Sequence, residues 1–103
     1  MGKYVLSWKT RQAGTAQQNH DDTRTLLATF AKWQPPADQN WLQFLGSVDG
    51  MGGLAVIETD NLAGLHAEIA KFVTFNEFEV LPVVDIAESV NMLAAALEFR
   101  DSI

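Results

Sequence analysis

Three glycines in four positions, Gly50, Gly52 and Gly53, stand between two short apolar runs, NWLQFLGSV (Asn40 to Val48) and GLAVIET (Gly53 to Thr59). Whether they cradle a phosphate or turn the chain limits everything that follows. A dinucleotide fingerprint sets its glycines between a strand and a helix, and a Walker loop needs a Lys followed by Ser or Thr. Here a second strand-like run follows the glycines and no lysine lies near them. The stretch DGMGG therefore reads as a hairpin tip: Asp49-Gly50 is a turn signal, and Gly52 and Gly53 allow positive φ angles and a bulge. Met51 is its exposed apolar side chain.

The segments around this hairpin have alternating or helical periods. KYVLSWK (Lys3 to Lys9) is aromatic and β-branched and is closed by the polar TRQAGT, which predicts a strand and a loop. Thr15 followed by Gln18 has the form of a capping box, and Leu26, Leu27, Phe30 and Trp33 recur at helical spacing, which predicts a helix from Ala16 to Trp33 before QPP stops it. Asp60 is the expected N-cap of a second helix carrying Leu62, Leu65, Ile69, Phe72 and Val73. NEFEVLPVV (Asn76 to Val84) reads as a strand whose Pro82 suits an edge or an end. Asp85 with Glu88 opens a last helix with Ile86, Val90, Leu93 and Leu97 along one side.

The order strand, helix, strand, strand, helix, strand, helix is that of the ferredoxin-like fold, an α+β arrangement βαββαβ with a four-stranded antiparallel sheet, here with a C-terminal helix added. Right-handed crossovers place the first and third strands in the middle. At 103 residues, 48% of them hydrophobic, the chain has room for one domain, residues 1–103, with a packed core.

That topology covers one sheet face with helices and leaves the other open. Alternation divides each strand into two sets. Tyr4, Leu6, Trp8, Leu42, Phe44, Val48, Ala55, Ile57, Phe78, Val80 and Val84 contain no charge and are expected beneath the helices. The open face then carries Val5, Ser7 and Lys9; Trp41, Gln43 and Leu45; Leu54, Val56 and Glu58; Glu77, Glu79, Leu81 and Val83. Large apolar groups left in water mark an interface or a ligand site. Ser7, Lys9, Trp41, Gln43, Leu45, Leu54, Val56, Glu58, Glu79 and Leu81 are thus the expected ligand-binding or dimer face, with Lys9 toward Glu77 and Glu79 and with Glu58 and Gln43 at the other end.

Composition excludes several classes. A net charge of −6 with seven scattered Lys and Arg residues offers no basic stripe for nucleic acid. No cysteine is present for a disulfide, a thiolate metal site or a thiol nucleophile, which fits a reducing compartment. No run approaches the roughly 18 apolar residues of a membrane span, and MGKYVLS has Leu6 where a myristoylation signal needs Ser or Thr. A cytoplasmic protein without membrane or nucleic-acid partners, cofactor or metal is expected.

Together YVLSWKTR, FAKWQPP, FLGSVDGMGGLAVIET and VLPVVDI…FRDSI resemble a family of small bacterial proteins classed as a domain of unknown function. The resemblance runs over nearly the whole chain. It implies a branch of the dimeric α/β-barrel superfamily, which includes cofactor-free monooxygenases, muconolactone isomerases and stress-responsive barrel proteins, and hence a homodimer whose sheets close around a shared core. The catalytic histidine patterns of those relatives have no match at recognisable positions.

Among titratable residues, Glu58, Glu79, His66 and Lys9 are the candidates for proton transfer. Structural roles compete with each: a Lys9–Glu79 cross-strand pair, a hydrogen-bonded Glu58, and a His66 at the edge of the core bonded to a carbonyl. His20 beside Asp21 and Asp22 reads as a solvated first-helix turn, since no second His at i+4 makes a metal pair. An aromatic pocket of Trp8, Trp33 and Trp41 competes with a core role for Trp8 and Trp33, which fall on core-facing positions and read as core while Trp41 alone sits on the open face; Ser7 lacks an adjacent base. The expected function is a small dimeric protein that binds a small hydrophobic ligand at the open sheet face or dimer cavity, in an apolar space between sheet and sheet or between sheet and helices, with no chemistry of its own. Two alternatives stand beside it: a cofactor-free enzyme, monooxygenase- or isomerase-like, using a Glu or His for proton transfer, and a structural oligomerisation module.

Overall fold

A computed structural model of the chain describes residues 1–12 and 14–103. Its elements are β1 (Gly2–Thr10), α1 (Ala16–Ala31), β2 (Asn40–Gly46), β3 (Gly52–Thr59), α2 (Leu62–Ala70), β4 (Asn76–Val83) and α3 (Ile86–Asp101). The four strands form one antiparallel sheet in the order β2-β3-β1-β4, so the first and third strands are central, as the crossover argument requires. Pro82 lies in the edge strand β4, where a missing N–H costs no central ladder bond.

Local sequence signals account for the helix starts. Thr15 Oγ1 accepts from Gln18 N at 3.2 Å while Thr15 N donates to Gln18 Oε1 at 2.8 Å, the reciprocal capping box. α1 stops at Ala31, so Trp33 lies beyond its C-cap, Lys32. The cap of α2 is Asn61 rather than the expected Asp60: Asn61 Oδ1 accepts from Gly64 N at 2.8 Å. Buried Thr59 explains the shift, because its hydroxyl accepts from Asn61 N and donates to the Asp38 carbonyl, holding the turn one residue longer. Asp85 does sit at the N-cap of α3, but its side chain makes no capping bond; its carboxylate is held by Lys3 Nζ at 2.8 Å.

The hairpin spans Ser47 to Met51, with Ser47 N donating to Gly52 O at 2.8 Å. Positive φ occurs there at Gly50 (75°) and not at Gly52 or Gly53. Those two glycines serve close approach instead: a Cβ on Gly52 would strike the Trp8 carbonyl oxygen, and one on Gly53 would strike both the Leu45 carbonyl and the Trp8 ring. The exposed apolar side chain at the tip is Val48, while Met51 is half-buried.

A β-bulge separates Trp41 from Gln43 in β2. Trp41 pairs with Ile57 and Gln43 with Val56, so Leu42 is the extra residue and simple alternation fails across it. Trp41 therefore lies on the helix-covered face, not with Gln43, Leu45, Leu54 and Val56 on the open one. The fully buried core of that covered face is small: Leu6, Ala55, Ile57 and Leu65, with Tyr4, Trp8, Trp41, Ile69 and Phe78 packed against it. α1 buries no residue completely, and α3 runs away from the sheet, giving the molecule extents of 63 × 30 × 22 Å.

Candidate ligand cavity

Between the covered sheet face and helices α1 and α2 lies a cavity of about 390 Å³. Its floor comes from Leu6, Trp8 and Phe78 and from Trp41 and Phe44 of β2; its walls come from Phe30, Trp33, Leu65 and Phe72. The rings hold one another in edge-on and tilted contacts. Trp33 meets Trp41 at 5.1 Å and 72°, Phe44 at 6.0 Å and 76°, and Phe72 at 6.1 Å and 87°. Such centroid separations are the favoured range for aromatic pairs. The bulge is what brings Trp41 into this set, 4.9 Å from Phe44. Gln39, itself buried, accepts from Trp41 Nε1 at 3.1 Å and fixes the indole edge. On the side of α1 the cavity is open, with Leu27 and Phe30 largely exposed.

Among the described residues one ionisable side chain lines this space, Glu68 of α2. Its side chain is only 11% exposed; Oε2 accepts from Trp33 Nε1 at 2.9 Å and is met by Lys71 Nζ at 2.8 Å. Burial pushes the carboxyl upward, but the hydrogen bonds from Lys71 and Trp33 outweigh it and hold Glu68 below the ordinary carboxylate value. It is therefore an anion and an acceptor at neutral pH. Sequence reasoning missed Glu68, although the signal was present: it sits three residues after Leu65 and four before Phe72, so a carboxylate interrupts the inward arc of the helix.

The residues expected on the open face are dispersed along it. Lys9 lies opposite Glu77, whose own ion pair is with Arg11 at 3.7 Å; Glu79 lies opposite Ser7. Among the described residues there is no Lys9–Glu79 ion pair, because the register sets them two positions apart. Glu58 lies opposite Lys3 and Asn40, four positions along β1 from the Ser7–Glu79 pair, about 13 Å at strand spacing. Gln43, Leu45, Leu54, Val56 and Leu81 do share that face, where Leu45, Leu54 and Leu81 are exposed. His66 is exposed rather than at the core edge: the inward residue is Leu65, and one step along the helix rotates His66 away. His20 is also exposed, 3.3 Å from Arg24 on the next turn. At the hairpin a second hollow of about 370 Å³ is rimmed by Lys9, Ser47 and Asp49. Asp49 is held below the usual carboxylate range by hydrogen bonds from Ser47 and Met51 N.

Fold and cavity define a small α+β protein with strand order β2-β3-β1-β4, an aromatic chamber between sheet and helices, and, among the described residues, one carboxylate in it. The chain belongs to the family described as Domain of unknown function (DUF3303), which matches residues 2–97. No curated protein matches it. Among the described residues no helix is long and apolar enough to cross a membrane.

Proposed function

We propose that this is a cytoplasmic bacterial homodimer that binds a small, largely apolar molecule in the chamber between sheet and helices and performs no chemistry on it. The observation that carries the reading is the chamber itself: about 390 Å³, lined by aromatic rings from α1, from the segments just after α1 and α2, and from three strands, with one anionic acceptor among the described residues. This is the size range and composition of small-molecule sites, in which apolar walls supply affinity and a few polar groups supply orientation. Glu68 Oε1 has no hydrogen-bond partner among the described residues, so it is free to accept from a ligand hydroxyl or amine.

Binding is favoured over proton transfer by the state of Glu68. A general base works best with a pKa near the working pH, and Glu68 is displaced in the opposite direction. Glu58, Glu79, Lys9 and His66 do not line the chamber.

Native mass spectrometry of protein purified from its own host tests the proposal. The expected result is a retained small molecule that is absent from Gly46→Leu. Gly46 lines the chamber and a Cβ there meets nothing within 4 Å, so a side chain begins in open space at the chamber and takes up part of its volume. Wild-type protein that carries no ligand and takes up none of a panel of apolar compounds would overturn it.

A further inference from the structure

The C-terminal helix is the least explained part of the fold. Ile86, Val90, Leu93 and Leu97 recur along one side of α3, yet each is 53–79% exposed, and the helix buries no residue. The exit of the chain from β4 explains why it does not turn back. Only Val84 and Asp85 connect β4 to α3, and the 2.8 Å contact from Lys3 ties Asp85 to the start of β1.

The exposed surface can be compared with what a monomer of this size has. The chain exposes 7517 Å², whereas a folded monomer of 11.4 kDa exposes about 5,800 Å². Its radius of gyration is 18.1 Å, against about 13 Å for a compact chain of this length. The excess of roughly 1,700 Å² is about twice the 800 Å² that each partner contributes to a standard interface. Each chain also has a matching floor. The open sheet face exposes Leu45, Leu54 and Leu81, and a 16-residue helix of about 24 Å is long enough to cross four strands spaced roughly 4.8 Å apart.

We propose that two copies of the chain exchange their C-terminal helices, each α3 lying with its Leu93 and Leu97 side across the open sheet face of the other copy. A second copy fits better than an unrelated partner because every chain carries one projecting helix and one uncovered face, so a two-fold arrangement satisfies both and closes. Charge agrees. Lys9 and Glu79 on the sheet face, and Glu98 and Arg100 near the end of α3, form no ion pairs among the described residues, so a docked helix brings opposite signs within reach. The exchange deepens the homodimer reading and rests on it.

Sedimentation velocity at micromolar concentration and a cross-link test it together. Wild type should sediment as a dimer, and Leu93→Glu with Leu97→Glu should give a monomer with unchanged circular dichroism, since both side chains are exposed in the single chain. The sequence has no cysteine, so Leu81→Cys with Leu93→Cys presents the only thiols to a flexible bismaleimide. Covalent dimers are expected. A wild-type monomer would overturn both dimer and exchange. A dimer that survives the double Glu substitution, or a cross-link that is absent or closes within one chain, would overturn the exchange alone.

Discussion

Replacing Trp33 with Phe removes the indole N–H that Glu68 receives at 2.9 Å while keeping a ring in the chamber. A hydrogen bond to a charged group contributes about 1.5–3 kcal/mol. The lower end applies here, because Lys71 still meets the same oxygen, although that contact is half-exposed and contributes less than about 1 kcal/mol. The expected loss is therefore about 1.5 kcal/mol for the hydrogen bond, with a further cost of about 1 kcal/mol for the smaller ring. The two parts separate in a double-mutant cycle with Glu68→Leu, which leaves the indole N–H no acceptor at that position, measured by urea unfolding at neutral pH. Trp33→Phe should cost at least about 1 kcal/mol less in the Glu68→Leu background than in wild type. Equal losses in both backgrounds would refute the claim that Trp33 holds the Glu68 carboxylate.

Further outcomes follow from the same geometry. Gly53→Ala forces a Cβ against the Leu45 carbonyl and the Trp8 ring and should lower stability by about 1–3 kcal/mol, whereas Gly46→Ala, with open space around its Cβ, should gain about 0.5 kcal/mol; denaturation midpoints compare the two. Thr15→Ala breaks the capping box and should cost about 1 kcal/mol in the same assay. The folded pKa of Glu68 lies below its ordinary 4.5, so its stabilising contribution is present above that value and lost as pH falls through the folded one. Stability of wild type should therefore fall more steeply below pH 4.5 than that of Glu68→Gln. Asp49 and Asp85 are also held low and act equally in both proteins, so the difference between the two curves is the readout.

The order of elements, the central strands and the first capping box were legible in the sequence because each rests on local period or local hydrogen bonding. The register of β2 was not. Alternation assumes an unbroken pleat, and the bulge at Leu42 moves Trp41 to the other face, where contact with Trp33 and Phe44 replaces exposure to water. A cavity between sheet and helices was among the expectations, but Trp41 as part of its lining was not, for the same reason. Composition alone made the open face look functional, while the chamber depends on how Trp33, beyond the end of α1, meets Glu68 of α2 across 35 residues of chain. His66 shows the limit of helical periodicity: in a helix of nine residues, Leu62 fits the apolar pattern and is still exposed, so the pattern does not fix which neighbours turn inward. The projecting α3 could not be read from its period, which says that a side is apolar but not whose surface covers it.

All three tryptophans of the chain, Trp8, Trp33 and Trp41, line the chamber. Intrinsic fluorescence therefore reports on the chamber directly. Titration with the neutral apolar probe N-phenyl-1-naphthylamine should quench tryptophan emission in wild type, saturating at one probe per chain, and should leave Gly46→Leu unquenched. Quenching that is absent from wild type, or equal in the two proteins, would contradict a ligand chamber between sheet and helices.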